Sequence, residues 1–216
     1  MRTLTQPRIV GLGAFPHVSV FDYVLELAGG RRVLFDGTAT PGEPFELPFD
    51  AEVTPLSFYP WPPDDLRKLA LDHDVILVGG GSTANLLAVW RVHGFDRILR
   101  EAWEAGVVLA GWSAGFICWF EAGVTDSFGP QLEGMRDGLG FLPGSACPHY
   151  DGEELRRPVY RKLVSEGFPP GIALDDAAGA YYAGTELREV VAAGDAAGGY
   201  LVGPDGERPL SVRRLV

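Results

Sequence analysis

The chain has 216 residues, with 18 basic and 29 acidic side chains and a formal net charge of −11. Hydrophobic residues at 46 % and charged residues at 22 % describe a globular chain, not a disordered or membrane-embedded one. The acidity argues against nucleic acid and anionic membranes as partners, because clustered Lys and Arg hold both.

In chain order, strand and helix signals alternate. Arg8–Leu12 reads as a strand and Gly13–Pro16 as a turn. Val18–Leu27 reads as an amphipathic helix, with Val20, Tyr23, Val24 and Leu27 at helical spacing. Arg32–Asp36 and Val53–Tyr59 read as strands around a Pro-rich loop at Thr40–Asp50. Pro62-Pro63-Asp64 is expected to open a helix through Leu71. Asp74–Val78 is an apolar strand, followed by helices Thr83–Val92 and Phe95–Ala105, each stopped by a glycine. Val107–Trp112 is an apolar strand expected to lead into a helix reaching Phe120. Beyond Gly123 the signal weakens. A helix is expected over Glu153–Glu166. Short strands are expected at Gly171–Asp175, Ala180–Ala183, Glu189–Ala193, Gly199–Val202 and Leu210–Leu215, the last two joined by Pro204-Asp205-Gly206. Such alternation indicates an α/β fold, a three-layer αβα sandwich with a mostly parallel central sheet plus short C-terminal strands. One domain over residues 1–216 is expected.

Cys118 and Cys147 have neither the number nor the spacing of a disulfide framework or metal site, and read as buried, reduced thiols. The start, MRTLTQPRIVGLGAF, lacks a long apolar run and a small-residue cleavage site. No apolar stretch approaches the ~20 residues of a membrane span. A cytoplasmic protein is expected.

Gly111-Trp112-Ser113-Ala114-Gly115 is a G-x-S-x-G elbow between a strand and a helix signal, the context that lifts a nucleophilic serine above a sheet. The N–H of Ala114 would face a developing oxyanion. Gly79-Gly80-Gly81, at the end of the preceding strand, leaves backbone N–H groups uncovered for a second donor. The run lacks a P-loop lysine and does not match a dinucleotide fingerprint. Of the four histidines, His73 and His93 sit at helix ends and His17 in a turn, which leaves His149, 36 residues beyond the serine, as the base candidate. Asp126, Asp151, Asp175 and Asp176 are the carboxylates available to orient it.

GGGSTANLL (79–87), GWSAG (111–115), CWFEAGVTDS (118–127), CPHYDGE (147–153) and ALDDAAG (173–179), in this order and spacing, resemble the peptidase E / cyanophycinase family of serine peptidases, whose sheet is similar to that of class I glutamine amidotransferases. The resemblance covers about residues 75–190. It implies Ser113 as nucleophile, His149 as general base and Asp176 as the orienting acid, with Asp126 as runner-up. It implies an oxyanion site from Ala114 and Gly80 or Gly81, no metal and no organic cofactor. The implied substrate is a small peptide, often one with an N-terminal Asp. Arg156, Arg157 and Glu121 are the candidate substrate-binding residues, and a monomer or homodimer is expected. An esterase or amidase on the same scaffold, or a non-catalytic relative, is the alternative. Two positions depart from the family pattern: Ser82 stands where Asn is common, and Phe116, expected to narrow the pocket, stands where a small residue is usual. Seven acids between Glu121 and Glu154 face a single opposing base, Arg136, and are expected at the cleft mouth.

Overall fold

The structure, a computed structural model, describes residues 6–40 and 50–216. The Pro-rich loop expected over Thr40–Asp50 lies almost wholly outside the described residues. Strands β1 (Arg8–Leu12), β2 (Arg32–Asp36), β3 (Glu52–Leu56), β4 (Val75–Val78) and β5 (Val108–Trp112) stand in the order β1-β5-β4-β2-β3. Every pairing among these five is parallel. The connections carry helices α1 (Val18–Ala28), α2 (Leu66–Leu71), α3 (Thr83–His93) and α4 (Phe95–Glu104).

The inner strands β1, β2, β4 and β5 are apolar through their centres because both faces are covered, while the edge strand β3 is largely exposed. Val10, Leu12, Val33, Phe35, Val75, Leu77, Val108 and Ala110 pack toward α1. Their alternate neighbours Ile9, Leu34, Ile76, Val78 and Leu109 pack toward α3 and α4. Burying each such aliphatic side chain contributes about 1.5–3 kcal/mol. Helix ends follow local chemistry. Ser82 caps α3 by accepting the Asn85 N–H at 3.3 Å, so the family-atypical serine has a structural task. The α2 helix starts at Leu66 with Asp65 accepting the Lys68 N–H at 2.8 Å. Pro62 and Pro63 therefore precede the helix instead of forming its first turn.

The main departure from expectation follows the elbow. Helix α5 is only Ala114–Ile117, and the chain turns into a strand, β6 (Phe120–Thr125). With β7 (Glu133–Met135), β8 (Leu142–Cys147), β9 (Gly171–Leu174), β12 (Gly199–Gly203) and β13 (Gly206–Pro209) it builds a six-stranded second sheet, in the order β13-β12-β9-β8-β6-β7. Strands β10 (Ala178–Ala183), β11 (Glu186–Ala193) and β14 (Val212–Leu215) instead widen the first sheet to eight. The Pro204-Asp205 turn thus joins β12 to β13, not to the final strand, which pairs with β11. Helix α6 (Arg156–Ser165) covers the far side of the second sheet through Tyr160 and Val164. It starts three residues later than expected.

Helix α5 lies between the sheets, touching β1, β4 and β5 on one side and β6 and β8 on the other. Phe116 points into this seam, fully buried, and meets Phe120 edge-on at 5.4 Å. It does not narrow a pocket. Its ring fills the space above Gly11, where a Cβ would come within 2.1 Å of the ring. Cys118 and Cys147 are both free and buried, and burial pushes the Cys147 thiol up to about 12. No helix among the described residues is long and apolar enough to cross a membrane.

The Gly11–Phe116 contact yields a packing test. Gly11→Ala is expected to lower unfolding free energy by about 1–3 kcal/mol, the usual cost of overpacking. Adding Phe116→Leu should recover more than half of that loss in urea denaturation.

Candidate active site

Ser113 occupies the tight turn between β5 and α5 with φ 53° and ψ −113°, a conformation costly for a residue with a side chain. The flanking glycines make the turn possible. A Cβ on Gly111 would lie 2.4 Å from the Gly115 carbonyl oxygen, and one on Gly115 would lie 2.3 Å from that of Val78. His149, in the segment after β8, is the other non-glycine residue with positive φ among the described residues, at 52°. Its Nδ1 lies 2.8 Å from Asp176 Oδ1. Asp176 follows β9, and its backbone N–H donates to Asp151 Oδ1 at 2.8 Å.

Ser113, His149 and Asp176 line one cleft of about 470 Å³. Three separate segments reach it because the backbone of residues 12–14 ties them together. The Leu12 carbonyl accepts the Ser113 N–H at 3.4 Å, and the Gly13 carbonyl accepts the His149 N–H at 3.3 Å. The Ala14 N–H donates to the Asp176 carbonyl at 3.1 Å. A Cβ on Gly13 would stand 2.0 Å from the Asp175 carbonyl oxygen, so the chain passes here only as glycine. The sequence marked Gly13–Pro16 only as a turn. The one signal available was Gly13, directly after an apolar strand.

The glycine loop at the end of β4 forms another wall. Gly79 donates to the Asp36 carbonyl at 2.9 Å, and the Thr40 hydroxyl donates to the Gly80 carbonyl at 2.9 Å. Asp36 is fully buried, which raises its carboxyl, and it accepts from Thr38 N–H at 2.9 Å and Trp90 Nε1 at 2.7 Å. Among the described residues, no hydrogen bond takes up the N–H groups of Gly80, Gly81 or Ala114. These three donors border Ser113 or its loop. Phe15, Phe35 and Trp112 complete an aromatic side of the cleft.

Other residues singled out in the sequence lie elsewhere. Asp126 is exposed in the loop after β6 and does not line the cleft. Glu121 accepts the Gly144 N–H at 2.9 Å. Arg156 is buried, held by Glu153 at 2.7 Å and the Val124 carbonyl at 2.8 Å. Arg157 pairs with Glu207 and lies over the Tyr150 and Tyr200 rings. None of the four reaches the cleft. Nor does the acidic stretch form its mouth: Asp137 pairs with Arg91, Glu153 with Arg156, and Asp151 anchors the Asp176 backbone. His17 caps α1, His73 contacts the Leu69 carbonyl and His93 stacks on Phe58.

The model of Peptidase family S51 matches residues 39–190, well over half of the chain. The chain belongs to peptidase family S51. The S51 match spans the glycine loop, Ser113, His149 and Asp176, and leaves out residues 12–14. The chain is 51 % identical over 148 residues to the uncharacterised peptidase YgaJ of Bacillus subtilis, covering 68 % of this chain and 64 % of YgaJ. It is 29 % identical over 136 residues to a peptidase E of Shewanella denitrificans, covering 59 % of this chain and 58 % of that one. The chain thus spans about three fifths of the length of these S51 relatives. Two crystal structures share the fold at 18 % identity. A peptidase from an acI-B1 actinobacterium superimposes with a TM-score of 0.68, covering 97 % of this chain and 96 % of that one. A putative peptidase E of Listeria monocytogenes gives 0.63, covering 96 % and 100 %.

Asp175, beside Asp176, is buried. Its Oδ2 accepts from Gly198 N–H at 2.7 Å, while its Oδ1 is buried without a partner. Burial, with Asp151 nearby, pushes its carboxyl up to about 6. The folded state therefore holds this proton more tightly than the unfolded state does. The charged form costs stability above that value, and the cost fades as pH falls toward 4. Asp175→Asn is expected to raise unfolding free energy by about 1–3 kcal/mol at pH 8, with the gain shrinking toward pH 4 in urea titrations.

Proposed function

We propose that this S51 member is a serine peptidase acting on small peptides through Ser113, His149 and Asp176. The hydrogen bond from His149 Nδ1 to Asp176, in the cleft that Ser113 lines, carries the reading. With Nδ1 engaged by the carboxylate, Nε2 is the ring nitrogen left to take the serine proton. Ser113 Oγ then attacks the scissile carbonyl. The carbonyl oxygen becomes an oxyanion facing the Ala114 N–H and that of Gly80 or Gly81. Imidazolium returns its proton to the departing amine, and an acyl-enzyme remains. Water, deprotonated by the same imidazole, releases the acid product. Asp176 holds the ring in the tautomer this cycle needs and stabilises the imidazolium.

The strained backbone at Ser113 supports the reading, because such strain persists where the surrounding fold enforces it. The open N–H groups around the glycine loop support it too, since donors without internal partners face the cleft at no reorganisation cost.

Ser113→Ala is expected to lower kcat by about 10³–10⁶-fold on any cleaved dipeptide, with an unchanged circular dichroism spectrum. Retained turnover would remove the assignment. Asp176→Asn should lower kcat by about 10²–10⁴-fold, while Asp126→Asn should leave it within about twofold, read in the same steady-state assay.

A further inference from the structure

Resting on the serine-peptidase reading, we propose that the cleft selects peptides with a large apolar or aromatic side chain beside the scissile bond, and disfavours the N-terminal aspartate implied by the resemblance. Two observations carry this.

The first is the charge of the cleft. Asp176 is its one carboxylate among the described lining residues, and no Lys or Arg lines it. The two arginines nearest in sequence to His149 are committed elsewhere: Arg156 is buried on Glu153 and Val124, and Arg157 is paired with Glu207. A substrate carboxylate entering here would lose hydration, meet no cation and approach Asp176.

The second is the aromatic side. Phe35 stacks on Trp112 with ring centres 6.0 Å apart and planes 10° from parallel. Phe15 meets Trp112 edge-on at 5.3 Å and is 42 % exposed. Trp112 is the residue before the nucleophile, and its Nε1 lies 2.9 Å from where a Gly80 Cβ would be. The aromatic wall therefore starts at the reacting centre. Ring faces and edges of this kind attract apolar and aromatic side chains.

The test uses the full chain and a dipeptide set varied at each position, with Ala at the other. A fluorophosphonate probe reports separately whether Ser113 is an activated nucleophile. The expected result is labelling at Ser113 together with a kcat/KM at least about tenfold higher for Phe, Tyr or Leu than for Asp at one position, as an apolar pocket discriminates. Phe15→Ala should lower the Phe-to-Ala selectivity ratio at that position by about fivefold or more. Phe15→Arg should move the same ratio toward Asp. Phe15 is exposed enough that both variants should fold, which circular dichroism checks. Labelling with Asp preferred, with no apolar preference at either position, or with a ratio unmoved by Phe15→Ala overturns the proposal and leaves the serine reading standing. Absence of labelling overturns the serine reading, and the proposal with it.

Discussion

Three backbone hydrogen bonds around residues 12–14 hold the site together. Ser113, His149 and Asp176 each belong to a different loop, separated by tens of residues. No side-chain contact recruits all three. Instead the chain leaving β1 passes between them and offers one carbonyl to Ser113, another to His149 and an N–H to Asp176. The passage is so close that Gly13 admits no side chain. Backbone groups suit this task because their positions follow from the strand before them, with no rotamer to settle. A strand of the first sheet thereby sets the place of residues borne by the second.

A similar economy holds the glycine loop. Asp36 is buried at the end of β2, where an ionised carboxylate is costly unless well bonded. Its side chain binds the Thr38 N–H and the Trp90 indole, and its carbonyl binds Gly79. One residue thus joins β2, α3 and the loop that borders Ser113. The Gly79 N–H and the Gly80 carbonyl take the internal bonds, while the Gly80 and Gly81 N–H groups have no partner among the described residues.

Much of this was legible in the sequence, for identifiable reasons. VILV and the central VLF of RVLFD are apolar on every residue, as strands covered on both faces must be, and the boundaries of both strands held to within a residue. The elbow was legible because its glycines flank a serine between a strand and a helix signal, and the His149–Asp176 pair because the resemblance singled out Asp176 among four carboxylates. Residues 12–14 were not legible, since what they contribute is peptide groups. The second sheet was obscured between Glu133 and Cys147, where Gly134, Gly144 and Ser145 interrupt any apolar alternation. Arg156 was expected to bind substrate because it follows His149 closely in the sequence, and it is instead buried on Glu153 and the Val124 carbonyl. Arg156, Tyr160 and Val164 recur at four-residue spacing, and that spacing puts the arginine on the buried face of α6.

The division of the strands between two sheets also divides the chemistry. Ser113 and the glycine loop end strands of the first sheet, while His149 and Asp176 follow strands of the second. The imidazole and the Asp176 carboxylate therefore sit on one sheet, and Ser113 with the glycine loop on the other. Helix α5, the residues after β1 and a core shared by both sheets, with Phe120 meeting Tyr182 edge-on at 5.8 Å, hold the two in register. A small slip along that seam parts the serine from its base while the His149–Asp176 bond and both strand ladders remain whole. In the proposed reaction, turnover therefore depends on the alignment between two sheets.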